Sequence, residues 1–307
     1  MKKILILLAI ALVLFLGYIY LFIPSEFKTT VMETFNAPAG AAGRFVSSKD
    51  KWTKWWPEYK GDTFTFGGTA FSLNKVMIDE INIDITQDGL SIPSKLSVIS
   101  LSKDSSIVTW QSAMPAPSNP IQRMKQYERW NKAGNNMHEL LHQLGAFLAK
   151  KENVYSINVQ QLRVTDTLLV TTKTISTAPP TTADVYAQVK KLRDYISSQG
   201  ATATNAPMLN VNKTDSNHYQ YMVGIPVNKT LEGNSTINFK RMVDGNILVS
   251  EVKGGPVTIK RAFEQLELYV EDYRRIAPAI SYEMLVTDRQ QNPDTSAWFT
   301  RLYYPIL

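Results

Sequence analysis

His138-Glu139-Leu140-Leu141-His142 sets two imidazoles four residues apart, with a carboxylate beside the first. On a helix the two rings share a face and could hold zinc, with Glu139 as general base. Gly145 follows at the spacing of a longer zinc-protease signature. Leu148, however, stands where that signature needs a third histidine, and Glu152 is the nearest carboxylate downstream. Leu140, Leu141, Leu144 and Leu148 form a helical apolar stripe, so the expectation is a core helix whose outer surface carries His and Glu, with no metal. His218 has no partner motif. No serine nucleophile motif, phosphate loop or dinucleotide fingerprint occurs, and no cofactor is expected.

Glu283 is the second candidate. In a strand it shares a face with Ser281 and Leu285. Taken alone, a surface ion pair with Arg289 or Arg301 is the better reading. In a cleft walled by Trp298, Tyr303 or Tyr221 the carboxylate would instead attract organic cations. Coulomb attraction and cation–π contact both strengthen as a site loses water. Tyr303 and Tyr304 point to opposite faces, so only one can line such a cleft, and Tyr303 is preferred. Tyr221 serves equally well as sheet packing. A buried carboxylate could also act as a general base on water, which would make the chain a hydrolase of small electrophiles.

The composition narrows the field. Among 307 residues there are no cysteines, which excludes disulfides, thiolate metal sites and a cysteine nucleophile. The charge of +6 falls to +4 without Lys2 and Lys3, and no Lys/Arg run exceeds two, so no nucleic-acid partner is expected. Residues 4–23 are twenty uncharged residues, about 30 Å as a helix, the thickness of a bilayer core. Tyr18, Tyr20, Phe22 and Pro24 suit an interfacial belt better than a cleavage site. An uncleaved signal anchor is preferred to a cleaved signal. Lys2 and Lys3 put the N-terminus in the cytoplasm and the remainder outside it, across a bacterial inner membrane.

Residues 27–35 alternate as a strand and residues 39–48 read as a short helix. Strand-like runs follow at 63–66, 70–73, 75–85, 95–101 and 106–112, divided by Gly67-Gly68, Asp88-Gly89 and Lys103-Asp104. Pro120 suits the start of a long helix reaching about residue 151. A sheet wrapped around that helix could leave a cavity. This order, with Phe35-Asn36-Ala37-Pro38 and Trp55-Trp56-Pro57, resembles the START-like (SRPBCC, polyketide cyclase/dehydrase-type) superfamily over residues 27–151. The resemblance implies a helix-grip fold with a hydrophobic ligand cavity, and no particular reaction.

The second half contains an internal repeat. Residues 169–173 align with 248–252, and Ile225-Pro226 with Tyr304-Pro305, both at an offset of 79. Each copy reads strand–helix–strand–strand, with helices at 183–198 and 258–275. Two such units can pair into one sheet about a pseudo-two-fold axis, with both helices on one face and a ligand cleft on the other. Tyr221-Met222-Val223-Gly224-Ile225-Pro226-Val227, Gly254-Gly255-Pro256, and the stretches around Glu283 and Trp298 resemble the GyrI-like effector-binding domain of AraC- and MerR-type activators. That resemblance covers residues 154–307. It implies that Glu283 lies in the central cleft, that Trp298 precedes the final strand, and that Leu285 replaces an aromatic cleft residue. The DNA-binding helices of such activators are absent.

The expected protein is α+β. It has an anchor over residues 1–25, a START-like domain over 26–152 and a GyrI-like domain over 153–307. It would bind an amphipathic or cationic small molecule in a sensing or protective role, with a ligand site formed by Glu283, Trp298, Tyr303, Tyr221 and Leu285.

Overall fold

The computed structural model describes residues 2–60, 63–78 and 80–307, the side chain of Lys60 excepted. The chain divides into two compact units, Met1–Lys150 and Lys151–Leu307, and each mixes helices with an antiparallel sheet.

The first unit opens with α1 (Lys2–Phe22), which is apolar on all sides and long enough to cross a membrane. β1 (Glu26–Phe35), α2 (Ala39–Val46), α3 (Lys49–Trp52) and β2 (Glu58–Lys60) follow. Then come β3 (Thr63–Phe66), β4 (Thr69–Val76), β5 (Ile81–Gln87), β6 (Leu90–Ser100) and β7 (Ser106–Pro115). The strand expected over 75–85 is in fact two. The chain turns between them, with Met77 N–H donating to the Glu80 carbonyl at 2.8 Å, and β4 pairs back onto β5. The sheet order is β1-β7-β6-β5-β4-β3-β2, a meander whose last strand also takes up β1.

Helix α4 (Pro120–Leu148) packs against β1, β5 and β6. Its start is set locally: Pro120 occupies the first turn, and the Asn119 side chain accepts from the Ile121 and Gln122 amides. Met137, Leu140, Leu141, Leu144 and Leu148 are buried along one stripe. Aromatic residues fill the sheet interior. Trp52 stacks on Trp56 at 5.0 Å, Trp56 meets Phe71 at 5.3 Å, and Phe71 meets Trp110 at 5.7 Å. Their indole N–H groups are satisfied inside, Trp56 by the Thr65 carbonyl and Trp110 by the Ser94 hydroxyl. Burial without an orphaned donor is what lets tryptophan serve as core.

The second unit contains α5 (Lys151–Tyr155), β8 (Gln160–Arg163), β9 (Leu168–Ser176), α6 (Thr182–Ser198), β10 (Met208–Lys213), β11 (Tyr219–Pro226) and β12 (Asn238–Arg241). It continues with β13 (Asn246–Lys253), α7 (Pro256–Asp272), β14 (Tyr282–Leu285), a short 3-10 turn at Thr295–Ala297, and β15 (Phe299–Ile306). The sheet order is β12-β9-β11-β10-β14-β15-β13-β8. The two copies are therefore β9-α6-β10-β11 and β13-α7-β14-β15. They meet where β10 pairs β14, at Met208 with Met284 and Leu209 with Glu283.

The register corrects one detail of the repeat. Leu169 pairs Pro226 in the first copy, and the matching pair in the second is Ile247 with Pro305, not Leu248 with Pro305. A one-residue slip in a strand exchanges its two faces, so the simple offset of 79 fails on β9 and β13 and holds on β11 and β15. The helix-covered face buries Val170, Leu209, Tyr221, Val223, Ile225 and Leu285 with the apolar stripe of α6. The opposite face carries Leu169, Met208, Ile247, Val249, Tyr282 and Met284.

Leu144→Ala should lower the unfolding free energy of the first unit by about 2–5 kcal/mol, because it opens a cavity in a closed core. His138→Ala, at an exposed position of the same helix, should change it by less than about 0.5 kcal/mol. Chemical denaturation monitored by tryptophan fluorescence checks both.

Candidate functional site

The second unit holds a cavity of about 310 Å³ on the helix-free face of its sheet. Its floor is built by alternation. Leu169 and Thr171 on β9, Met222 and Gly224 on β11, Met208 and Asn210 on β10, and Tyr282 on β14 all point to this side. Met242 and Val243 follow β12 and close one wall, while Ala279 and Ile280 precede β14 and close another. Three methionines give the lining a flexible, polarizable surface that adapts to differently shaped apolar ligands. Lys240, Arg241, Asp244 and Asn210 supply the polar groups. The Lys240 ammonium reaches across to the Met222 sulfur at 3.6 Å.

The two copies of the repeat differ where the cavity opens. Gly224 lies opposite Thr171, and the equivalent pair in the second copy is Tyr303 opposite Val249. A Cβ on Gly224 would stand 3.3 Å from Thr171 Cγ2, so glycine leaves the floor low. In the second copy the Tyr303 ring fills that space and stacks on Tyr282 at 4.9 Å, with the planes 7° apart. Burial pushes the hydroxyl pKa values of both tyrosines up, and the Asp166 carboxylate acts in the same direction on each. Both phenols therefore stay neutral donors at physiological pH.

The expected site residues separate onto the two faces. Glu283, Leu285 and Trp298 do share a cleft, about 200 Å³, between the start of α6 and the sheet. Tyr221 is absorbed in the α6 core, and Tyr303 lies on the opposite face of the sheet. The structure does not bring Glu283 together with Tyr303 or Tyr221. Glu283 is also not open to a ligand here. Arg289 Nη2 donates to Glu283 Oε2 at 2.6 Å and to Thr300 Oγ1 at 2.9 Å. The guanidinium carbon sits 4.6 Å from the centre of the Trp298 ring. The Arg289 amide donates to the Tyr186 hydroxyl, and the Trp298 indole N–H donates to the Asn292 carbonyl. Carboxylate plus indole is a cation-recognising pair, and the chain supplies its own cation. Of the two alternatives open for Glu283, the ion pair with Arg289 is the one formed, although in a cleft and not at the surface. Arg301 pairs instead with Glu251.

No family model matches the chain, and no curated protein matches it. Solved structures do. The EcmrR–DNA complex aligns with a TM-score of 0.44 at 14% identity, over 61% of this chain and 70% of that one. The EcmrR C-terminal domain aligns with a TM-score of 0.39 at 16% identity, over 49% of this chain and 98% of that one. A protein bound to tetraphenylphosphonium aligns with a TM-score of 0.32 at 13% identity, over 49% of this chain and 93% of that one.

The histidine motif reads as helix surface. His142 Nδ1 lies 3.0 Å from Glu33 Oε1, and Glu139 accepts from Gln143 within its own helix. Among the described residues no group of three His, Cys, Asp or Glu is placed to hold a metal ion. The cavity floor was missed by reading motifs. Its one usable signal is the exchange of Gly224 for Tyr303 between the two copies, a small residue against a large one at equivalent strand positions.

Glu283→Ala leaves the Arg289 guanidinium, 9% exposed, without its counter-charge. It should cost roughly 2–5 kcal/mol of stability, as breaking a buried pair does. Glu251→Ala breaks a pair whose side chains are 41% and 53% exposed, and should cost about 1 kcal/mol or less. Urea denaturation of the two variants measures the contrast.

Proposed function

We propose that this chain is a membrane-anchored small-molecule-binding protein whose ligand sits on the helix-free face of the second unit. The observation that carries the reading is the methionine-walled cavity floored by Gly224. A concave, mostly apolar site with a few polar groups is the usual form of a small-molecule pocket. The ligand is apolar or amphipathic. The tandem strand–helix–strand–strand order supports a GyrI-like effector-binding domain over residues 153–307. The meander closed by α4 supports a START-like domain over 26–152. Its interior is occupied by Trp52, Trp56, Phe71 and Trp110, so the second unit is the better seat for a ligand. Residues 1–25 anchor the chain in a bacterial inner membrane with the N-terminus cytoplasmic, and the role is sensing or protection at the envelope.

A second reading has its own observation. The Glu283–Trp298 cleft already holds a guanidinium, so an organic cation that displaces Arg289 would meet both a carboxylate and an indole. Hydrolysis with Glu283 as general base has less support, because the carboxylate's partner is a guanidinium and not a water-facing space.

Titration with Nile red, a neutral apolar dye, tests the first reading. Met222→Trp narrows the cavity and should weaken binding about tenfold, or ~1.4 kcal/mol. Equal curves for wild type and variant would overturn it. A cationic dye tests the second: Glu283→Gln should weaken its binding and Arg289→Ala should tighten it. No response to either substitution would refute the cation site.

A further inference from the structure

The end of α1 does not hang free. Ile19 is fully buried and Ile23, just past the helix, nearly so; Leu16 and Gly17 are half-buried, and the other residues of the helix are exposed. The Tyr20 hydroxyl donates to the Ser118 carbonyl at 2.6 Å, just ahead of α4. Arg123, one turn into α4, is buried, donates to the Ile23 carbonyl, and lies 5.1 Å from the centre of the Tyr20 ring. Arg123 thus caps the C-terminal end of α1, where a cation meets the negative end of the helix dipole. Three contacts of different kinds join the last turn of the apolar helix to the first turn of α4, all within the first unit.

This junction has a geometric consequence. Tyr20 belongs to the apolar span and lies at the depth where aromatic residues meet the lipid headgroups. Whatever is hydrogen-bonded to it lies at the same depth. The first turn of α4 carries Ile121, 55% exposed, and Met124, 42% exposed, which share a helix face. What sets these two exposed side chains apart from others on the surface is their place, beside the end of an apolar span that is fastened to the same helix. Lys125 follows on the same side, one position further from the start, and is also exposed. Apolar side chains followed by an ammonium match the sequence of environments from acyl boundary to phosphate.

We infer that the first turn of α4 is itself a membrane-contact surface. Ile121 and Met124 enter the interfacial layer of the bilayer that α1 spans, so anchor and first unit dock on the membrane as one body. The inference rests on the reading of α1 as a membrane span. It replaces a tether with a fixed orientation, in which the β1 end of the sheet faces the lipid. The β6–β7 turn, at the far end of the ten-residue β7, stands about 30 Å away in water.

The chain has no cysteine, so single labels need no background removal. Ile121→Cys, Met124→Cys and Ile99→Cys, each in the full chain, would carry a nitroxide in phosphatidylcholine vesicles. Ile99 is 62% exposed beside the β6–β7 turn. Paramagnetic accessibility to oxygen should exceed that to a water-soluble nickel chelate severalfold at 121 and 124, and the order should reverse at 99. Carbonate extraction of the same vesicles reports on the span. If the chain stays in the membrane while label 121 is as accessible to nickel as label 99, the docking surface is refuted and the anchor stands. If carbonate releases the chain, both fail.

Discussion

Successive residues of a β-strand point to opposite faces, and in the second unit this single constraint decides which side chains can ever share a site. Glu283 and Tyr282 are neighbours in sequence and lie on opposite sides of the sheet. Glu283 turns toward α6 with Leu285, and the buried ion pair with Arg289 fastens the segment between β14 and β15 over Trp298. Tyr282 turns the other way, toward the methionines. On the helix-covered face, packing takes most of the surface and Arg289 occupies the cleft beside Glu283. The larger open space, about 310 Å³ against 200 Å³, lies on the face that has no helix.

The same constraint explains how a near-repeat makes an asymmetric site. Two copies of one unit, paired through β10 and β14, would give two equal half-sites. Gly224 and Tyr303 break the equality. In one copy the missing side chain leaves volume, and in the other a ring fills it and supports Tyr282 by stacking. The cavity of the first copy is therefore walled in part by a residue that the second copy holds in place.

Much of the architecture was legible because it is local or periodic. The uncharged run of α1, the leucine stripe of α4, the Pro120 start and the repeated strand–helix–strand–strand order each have a pattern that survives without tertiary information. The short edge strands β8 and β12 were not legible. β8 is four residues, all exposed, and carries no alternation of burial to read. The split of residues 75–85 was missed because no glycine or proline stands between Val76 and Ile81 to mark it. In the site, Glu283, Leu285 and Trp298 line one cleft. Tyr303 lies on the other face of the sheet, while Tyr221 shares the face of Glu283 and is packed into the α6 core away from the cleft. The partner of Glu283 depends on a loop whose path no short motif encodes.

Methyl-resolved NMR with labelled methionine, read alongside the indole N–H signals, addresses the central claim directly. On titration with a neutral apolar ligand, the methyl resonances of Met208, Met222 and Met242 should shift together and saturate, while the Trp298 indole signal stays in place. A Trp298 shift with the three methionines unmoved would put the ligand on the helix-covered face and contradict the account.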